Sequence, residues 1–144
     1  MNVSWTFATR KDAPTLARWN FQLIRDERHR NAMDVPALTE RMIGWLEQDY
    51  KAVIFSADDV HVGYALFQKT SAFIHLRQFF VRPDQRRRGY GSECFRILRE
   101  AVFSKDMRLT IDVLADNPAG ILFWKAMGFT DYSVTLEIMP GGLR

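Results

Sequence analysis

Apolar residues recur at helical spacing twice in the first third of the chain, at Leu16, Trp19 and Leu23 and again at Leu38, Met42, Trp45 and Leu46. Steps of three and four put such positions on one face, so two amphipathic helices are expected, each covering a sheet. Asp12 and Pro14 mark the start of the first, with Asp as a cap and Pro in the first turn, where its missing N–H costs little. That helix runs toward Arg28, and the second begins at about Pro36. A strand is expected ahead of them at residues 4–9. The polar stretch RDERHRNAMD between them reads as a surface loop or a frayed helix end.

From Ala52 the period shortens. The runs AVIFSA, VHVGYALFQ and AFIHLRQFFV are separated by Asp58-Asp59 and by Lys69-Thr70-Ser71, links short enough to require antiparallel neighbours. A glycine-bearing turn then leads into a helix with Phe95, Leu98 and Val102 on one face, followed by the alternating strand MRLTIDVL, which makes a strand–helix–strand crossover. Asn117 and Pro118 open a last helix, Gly128 ends it as a left-handed cap, and a final strand is expected at residues 133–138. The pattern predicts a mixed α/β (α+β) fold. Its mostly antiparallel sheet of about six to seven strands is flanked by about four helices, in a single domain over residues 1–144.

Composition narrows the classes. With 144 residues, 47% hydrophobic and 26% charged, the chain can bury one core, and neither disorder nor a fibrous class fits. No apolar run approaches the roughly 20 residues that cross a bilayer, so no membrane association is expected. The opening MNVSWTFATRK lacks the order of a signal peptide, which predicts a cytoplasmic protein. Cys94 is the sole cysteine, so neither an internal disulfide nor a metal site is expected, and it reads as core packing. The formal charge of +3 is modest, but Arg82, Arg86, Arg87 and Arg88, then Arg96 and Arg99, concentrate it.

That concentration falls where a hydrophobic strand meets an amphipathic helix, in FFVRPDQRRRGYGSECFRIL. Gly89 and Gly91 let the backbone turn tightly, and the unpaired N–H groups of a helix start favour negative charge, so a pyrophosphate suits the loop. Arginines add charge-assisted bonds to phosphate oxygens. A Walker-type site needs Gly-Lys-Ser/Thr, which Gly91-Ser92-Glu93 does not supply. Gly89, Gly91 and Cys94 come nearer to a dinucleotide fingerprint, but a meander precedes the loop where repeated crossover units should stand. Single-stranded nucleic acid would need stacking aromatics on an exposed face, and Phe73, Phe79 and Phe80 are more simply core. An ordinary solvated basic run is the remaining alternative.

Here the chain resembles the GNAT acyltransferase superfamily, whose acyl-CoA signature Gln/Arg-x-x-Gly-x-Gly/Ala is matched from Arg86 to Gly91. A second family segment, an Asn followed by a helix that ends in an aromatic and Gly-Phe, stands as NPAGILFWKAMGF. The resemblance is close from about Ala52 onward and general before it. It implies a GNAT-like fold and an N-acetyltransferase using acetyl-CoA as co-substrate. Arg86, Arg87, Arg88, Gly89, Tyr90, Gly91 and Ser92 would hold the phosphates. Phe79, Phe80 and Val81 on one strand, with Asn117 and Trp124 opposite, would line the pantetheine arm between two splayed strands. The Phe79 N–H would polarise the thioester carbonyl, as any acyl transfer that builds an oxyanion requires.

An aliphatic ammonium has a pKa of about 10.4, so a base or water chain must free the attacking amine. The resemblance points to His75, fourteen residues before Gly89, where histone-modifying relatives carry a glutamate, and alternation puts it on the face of Phe79; the alternative is a sheet histidine satisfied by its neighbours. Many relatives carry a Tyr where Trp124 stands, to protonate the departing thiolate; indole cannot do so, which leaves Tyr132, water or an unassisted departure. Asp26, Glu27 and His29, in the polar loop, would attract a cationic acceptor, either a small-molecule or a peptide amine. A catalytically silent acyl-CoA-binding sensor is the alternative function, and a homodimer is left open.

Overall fold

The computed structural model describes residues 2–86 and 88–142. Its sheet has the strand order β1-β2-β3-β4-β5, which is also the order along the chain. β1 (Val3–Phe7), β2 (Tyr50–Ala57), β3 (Val60–Lys69) and β4 (Phe73–Val81) pair antiparallel in turn, and β5 (Arg108–Ile111) joins β4 in parallel. The helices are α1 (Ala13–Asp26), α2 (Val35–Glu47), α3 (Tyr90–Ile97), which runs on through a π turn to Val102, and α4 (Pro118–Ala126). The mixed α/β class and the four helices are as expected.

Two expectations are corrected. Among the described residues the sheet has five strands, because residues 133–138 form none, and Val134, Leu136 and Ile138 there are 82%, 88% and 73% exposed. Their β-prone side chains have no neighbouring strand to cover them. Asp12 does not cap α1 through its side chain. It closes a short 3-10 turn at Arg10–Asp12, where its carboxylate accepts the Thr9 N–H at 2.8 Å. The other ends agree with the sequence. Asn117 Oδ1 accepts the Gly120 N–H at 3.1 Å to start α4, and Gly128 (φ 112°) ends it as the Phe129 N–H bonds the Trp124 carbonyl at 3.1 Å.

The sheet separates two cores. Val53, Phe55, Ala65, Phe67, Ile74 and Leu76 face Cys94, Phe95, Leu98 and Phe103 of the α3 layer. Ala52, Ile54, Tyr64, Leu66 and Phe80 face Leu16, Leu23 and Met42 of α1 and α2. Neighbouring residues thus enter opposite cores, as strand alternation requires. In β4 the alternation is broken once: Leu66 stands opposite Gln78 and Phe67 opposite Leu76, so Arg77 is an extra residue. That bulge reverses the facing of everything after it. Ile74, Leu76 and Phe79 share the α3 face, while on the other Gln78 Oε1 accepts a hydrogen bond from the Tyr64 hydroxyl at 2.7 Å.

Gly63 lies where β3 passes closest to β4. A Cβ there would stand 2.0 Å from the Phe80 carbonyl oxygen, whereas at Gly44, inside α2, nothing lies within 4 Å. Gly63→Ala is therefore expected to cost about 3 kcal/mol of stability in urea unfolding, because the strand must shift. Gly44→Ala should gain about 1 kcal/mol from helix propensity alone.

Candidate active site

β4 and β5 stay together only briefly. Their pairing runs from Phe73↔Arg108 to Leu76↔Ile111, and β4 then continues to Val81 without β5 beside it. Past the bulge, the β5 side of β4 is a strand edge, able to bond an extended guest. Phe79 forms its wall on the α3 face. Its ring meets Trp124 edge-on at 5.1 Å and lies parallel to Phe123 at 6.2 Å, both from α4. Trp124 also meets Phe95 at 5.4 Å and Phe129 at 5.6 Å, so its indole is a packing element of this wall.

At the end of β4 the chain turns through Pro83–Gln85, and Gly89 takes a left-handed φ of 79° before α3 begins. Glu93 is the residue whose N–H closes on the Gly89 carbonyl, at 3.2 Å, so the amides of Tyr90, Gly91 and Ser92 point out of the helix start. Gly91 keeps α3 close to α4: a Cβ there would stand 3.3 Å from the Phe123 ring. Arg88, Gly89 and Ser92 are exposed and Tyr90 is half-buried, while Arg87 lies outside the described residues.

Arg86 does something the sequence did not suggest. Its Nε donates to the Val81 carbonyl at 2.7 Å, its Nη2 meets Asp26 at 2.5 Å, and its guanidinium covers the Phe80 ring at 5.4 Å. It thereby joins the end of β4 to the end of α1. Phe80 is 2% exposed and turned away from Phe79, so its side chain does not line the parted strands.

His75 lies at the point where the strands part. Its Nδ1 is 2.8 Å from Thr110 Oγ1 and its Nε2 is 3.5 Å from Asp112 Oδ2, both from the β5 segment. Thr110 and Asp112 were not singled out for this role, although parallel register and alternation put them beside His75. The expected shared face with Phe79 is not what forms, because the bulge at Arg77 separates the two. Tyr132 is not brought here either. It is 84% exposed, with the Arg108 guanidinium 4.5 Å from its ring, at the end of β5 away from the parting.

On the α1 side, Asp26 is engaged by Arg86 and by Gln22 Nε2 at 2.7 Å. Glu27 beside it is half-buried, and burial, helped by the Asp26 charge, pushes its carboxyl up to about 7. His29 is exposed, and its Nδ1 accepts the Asn31 N–H at 3.1 Å. Cys94 is buried in the α3 layer, and burial raises its thiol to about 12, which makes it inert packing. Asn117 spends Oδ1 on its helix cap and keeps its amide NH2 for another partner. A depression of 590 Å³ lined by Thr9, Arg10, Lys11, Pro14 and Ile43 contains none of these residues. Among the described residues, no helix is long and apolar enough to cross a membrane.

Residues 14–129 match the model of the Acetyltransferase (GNAT) family. No curated relative matches the chain. Solved structures share its fold. A possible acetyltransferase from Clostridium difficile 630 superposes with a TM-score of 0.80 at 15% identity, covering 97% of this chain and 98% of that one. Aminoglycoside N-acetyltransferase AAC(6')-Iy in complex with CoA gives 0.75 at 16%, covering 96% and 95%. Ribosomal-protein-alanine N-acetyltransferase from Brucella melitensis biovar Abortus 2308 gives 0.73 at 14%, covering 96% and 100%.

The Glu27 carboxyl has an ordinary value of 4.5 and a folded value of about 7. The folded state holds this proton more tightly than the unfolded chain, so the stability it contributes is complete below the ordinary value and lost as pH rises through 7. Glu27→Gln should match the parent in urea unfolding near pH 4. Near pH 8 it should exceed it by on the order of 1 kcal/mol, a gain limited by solvent at the half-buried carboxyl.

Proposed function

The chain belongs to the acetyltransferase (GNAT) family, and on that premise we propose that it transfers an acetyl group from acetyl-CoA to a primary amine by direct attack in a ternary complex. The observation that carries this reading is the parting of β4 and β5 beside a glycine turn at the start of α3. The outward amides of Tyr90, Gly91 and Ser92 suit a pyrophosphate, with Arg88 exposed beside them and Arg87 expected there from the sequence. The open edge of β4 from Phe79 to Val81 suits a pantetheine arm, which carries amides of its own. The wall of Phe79, Phe123 and Trp124 would shield it from water, and Asn117, the cap of α4, would contact it through the amide NH2 that the cap leaves over.

Acetyl-CoA supplies the activated thioester. When the amine nitrogen attacks its carbonyl, a C–N bond forms, the C–S bond breaks and CoA leaves as a thiolate, which takes a proton from water. The Phe79 N–H would hold the oxyanion. His75 is the base of this reading, kept in place by Thr110 and Asp112. Phe79 stands four positions further along β4, about 13 Å at strand rise, so the proton reaches His75 through water. Glu27, with its carboxyl near 7, is a second candidate on the acceptor side to take that proton. With Asp26 and His29 it forms the rim at which a small-molecule or peptide amine would enter. The cytoplasmic location expected from the sequence fits this reading.

A silent acyl-CoA sensor is the second reading, favoured by Trp124, which packs where many relatives place an acid, and by the distance of Tyr132 from the parted strands. Calorimetric titration with acetyl-CoA, and then thiol release against a panel of amines, separates the two. Binding with release on an amine is expected; binding without release supports the sensor, and no binding overturns both. His75→Ala is expected to lower kcat/KM about 100-fold at neutral pH and less near pH 9, where more acceptor amine is free of its proton. Full activity across that range would remove His75 from the mechanism.

A further inference from the structure

Two arginines on the α2 side of the sheet carry charges that the described chain does not answer. Arg77, the extra residue of the β4 bulge, is exposed and is the first residue of β4 beyond its pairing with β5. Its guanidinium lies 4.8 Å from the Trp45 ring of α2, and its Nη1 reaches the Tyr50 hydroxyl at 3.4 Å. Arg41 of α2 lies over the same ring at 4.4 Å. It donates from Nη2 to Asn20 Oδ1 at 3.1 Å, while its buried Nε has no partner. Among the described residues neither arginine pairs with a carboxylate. Burial, and after it the Arg77 charge, hold the Arg41 guanidinium below its ordinary value, so the two like charges stand close enough to oppose one another. Two cations gathered on one indole without an anion carry a cost that a bound anion would relieve.

Their place is the acceptor side. Arg77 stands two positions beyond His75 on the same side of β4, about 7 Å at strand rise. Burial raises the Tyr64 hydroxyl, the Glu27 charge adds to that and the Arg41 charge opposes it, so Glu27 and Arg41 border the same side chain. The rim itself is only weakly acidic, because Asp26 is answered by Arg86 and the Glu27 carboxyl holds its proton up to about 7. We infer that the acceptor is a small primary amine that also bears a carboxylate, of the amino-acid class, with the carboxylate held by Arg41 and Arg77. A planar guanidinium offers a carboxylate two parallel N–H bonds, and the pair repels a polycationic amine. This rests on the proposed acetyl transfer and names its substrate class.

Calorimetric titration of the CoA-saturated protein with the common amino acids, each beside its carboxamide, and with spermidine reads the site without turnover. Thiol release from acetyl-CoA on the same compounds reads the reaction. An amino acid is expected to bind about 10-fold more tightly than its carboxamide, the worth of one charge-assisted pair, and spermidine more weakly than either. Arg77→Gln changes an exposed side chain and should raise KM for that amino acid about 10-fold with kcat within a factor of about 2; Arg77→Lys should recover part of the loss. Arg41→Gln should act in the same direction. An amino acid that binds in this way without thiol release leaves the carboxylate site standing and removes the transfer reading. Thiol release without preference for acid over carboxamide leaves the transfer reading standing and overturns the inference. It is overturned equally if the preference survives both Gln variants, if spermidine is the best acceptor, or if no amino acid binds.

Discussion

One inserted residue sets the layout of the molecule. With strict alternation along β4, Gln78 would point its amide into the aromatic layer under α3, and Phe79 would leave that layer. The bulge at Arg77 sends Gln78 to the Tyr64 hydroxyl and Phe79 to Trp124 and Phe123. A buried amide without a partner costs a few kcal/mol, so this exchange of faces decides whether both cores can close. The β5 ladder also stops at the bulge, since Leu76, the residue before it, is the last to pair.

The parted strands divide the labour between the two faces of the sheet. The aromatic face is built of rings from β4, α3 and α4 packed on one another. The opposite face carries His75, the Tyr64–Gln78 pair and, at the end of α1, Glu27 and Asp26. Arg86 spans from the glycine turn to Asp26, so the loop that would meet the cofactor and the rim that would meet the acceptor share one ion pair. In the sequence Arg86 is one of three adjacent like charges; the fold assigns it a different task from Arg88, which stays exposed.

The element order was legible because each element had its own local signal: helical spacing at Leu16 and Leu38, short links at Asp58-Asp59, and Asn117 and Gly128 as caps. The glycine turn at the start of α3 was legible for the same reason. Two kinds of feature were not. A bulge adds one residue without marking it in composition, so counting alternate positions from His75 to Phe79 led to the wrong face. A strand period shows that a segment can pair, not that it finds a neighbour within its own chain, and residues 133–138 carry the period without the partner. The Thr110 and Asp112 contacts of His75 needed the register between two strands far apart in sequence.

The strand order also bears on how the chain comes together. β2, β3 and β4 are joined by tight turns, so their pairing closes short loops and can form early, while β5 must wait for the whole of α3 to cross back over the sheet. The gap between β4 and β5 is thus bounded on one side by an early product of folding and on the other by a late one. A ribosome releasing this chain would complete the meander well before the cleft exists. The most exposed stage of its synthesis is then a half-built sheet whose free edge is the outer side of β4.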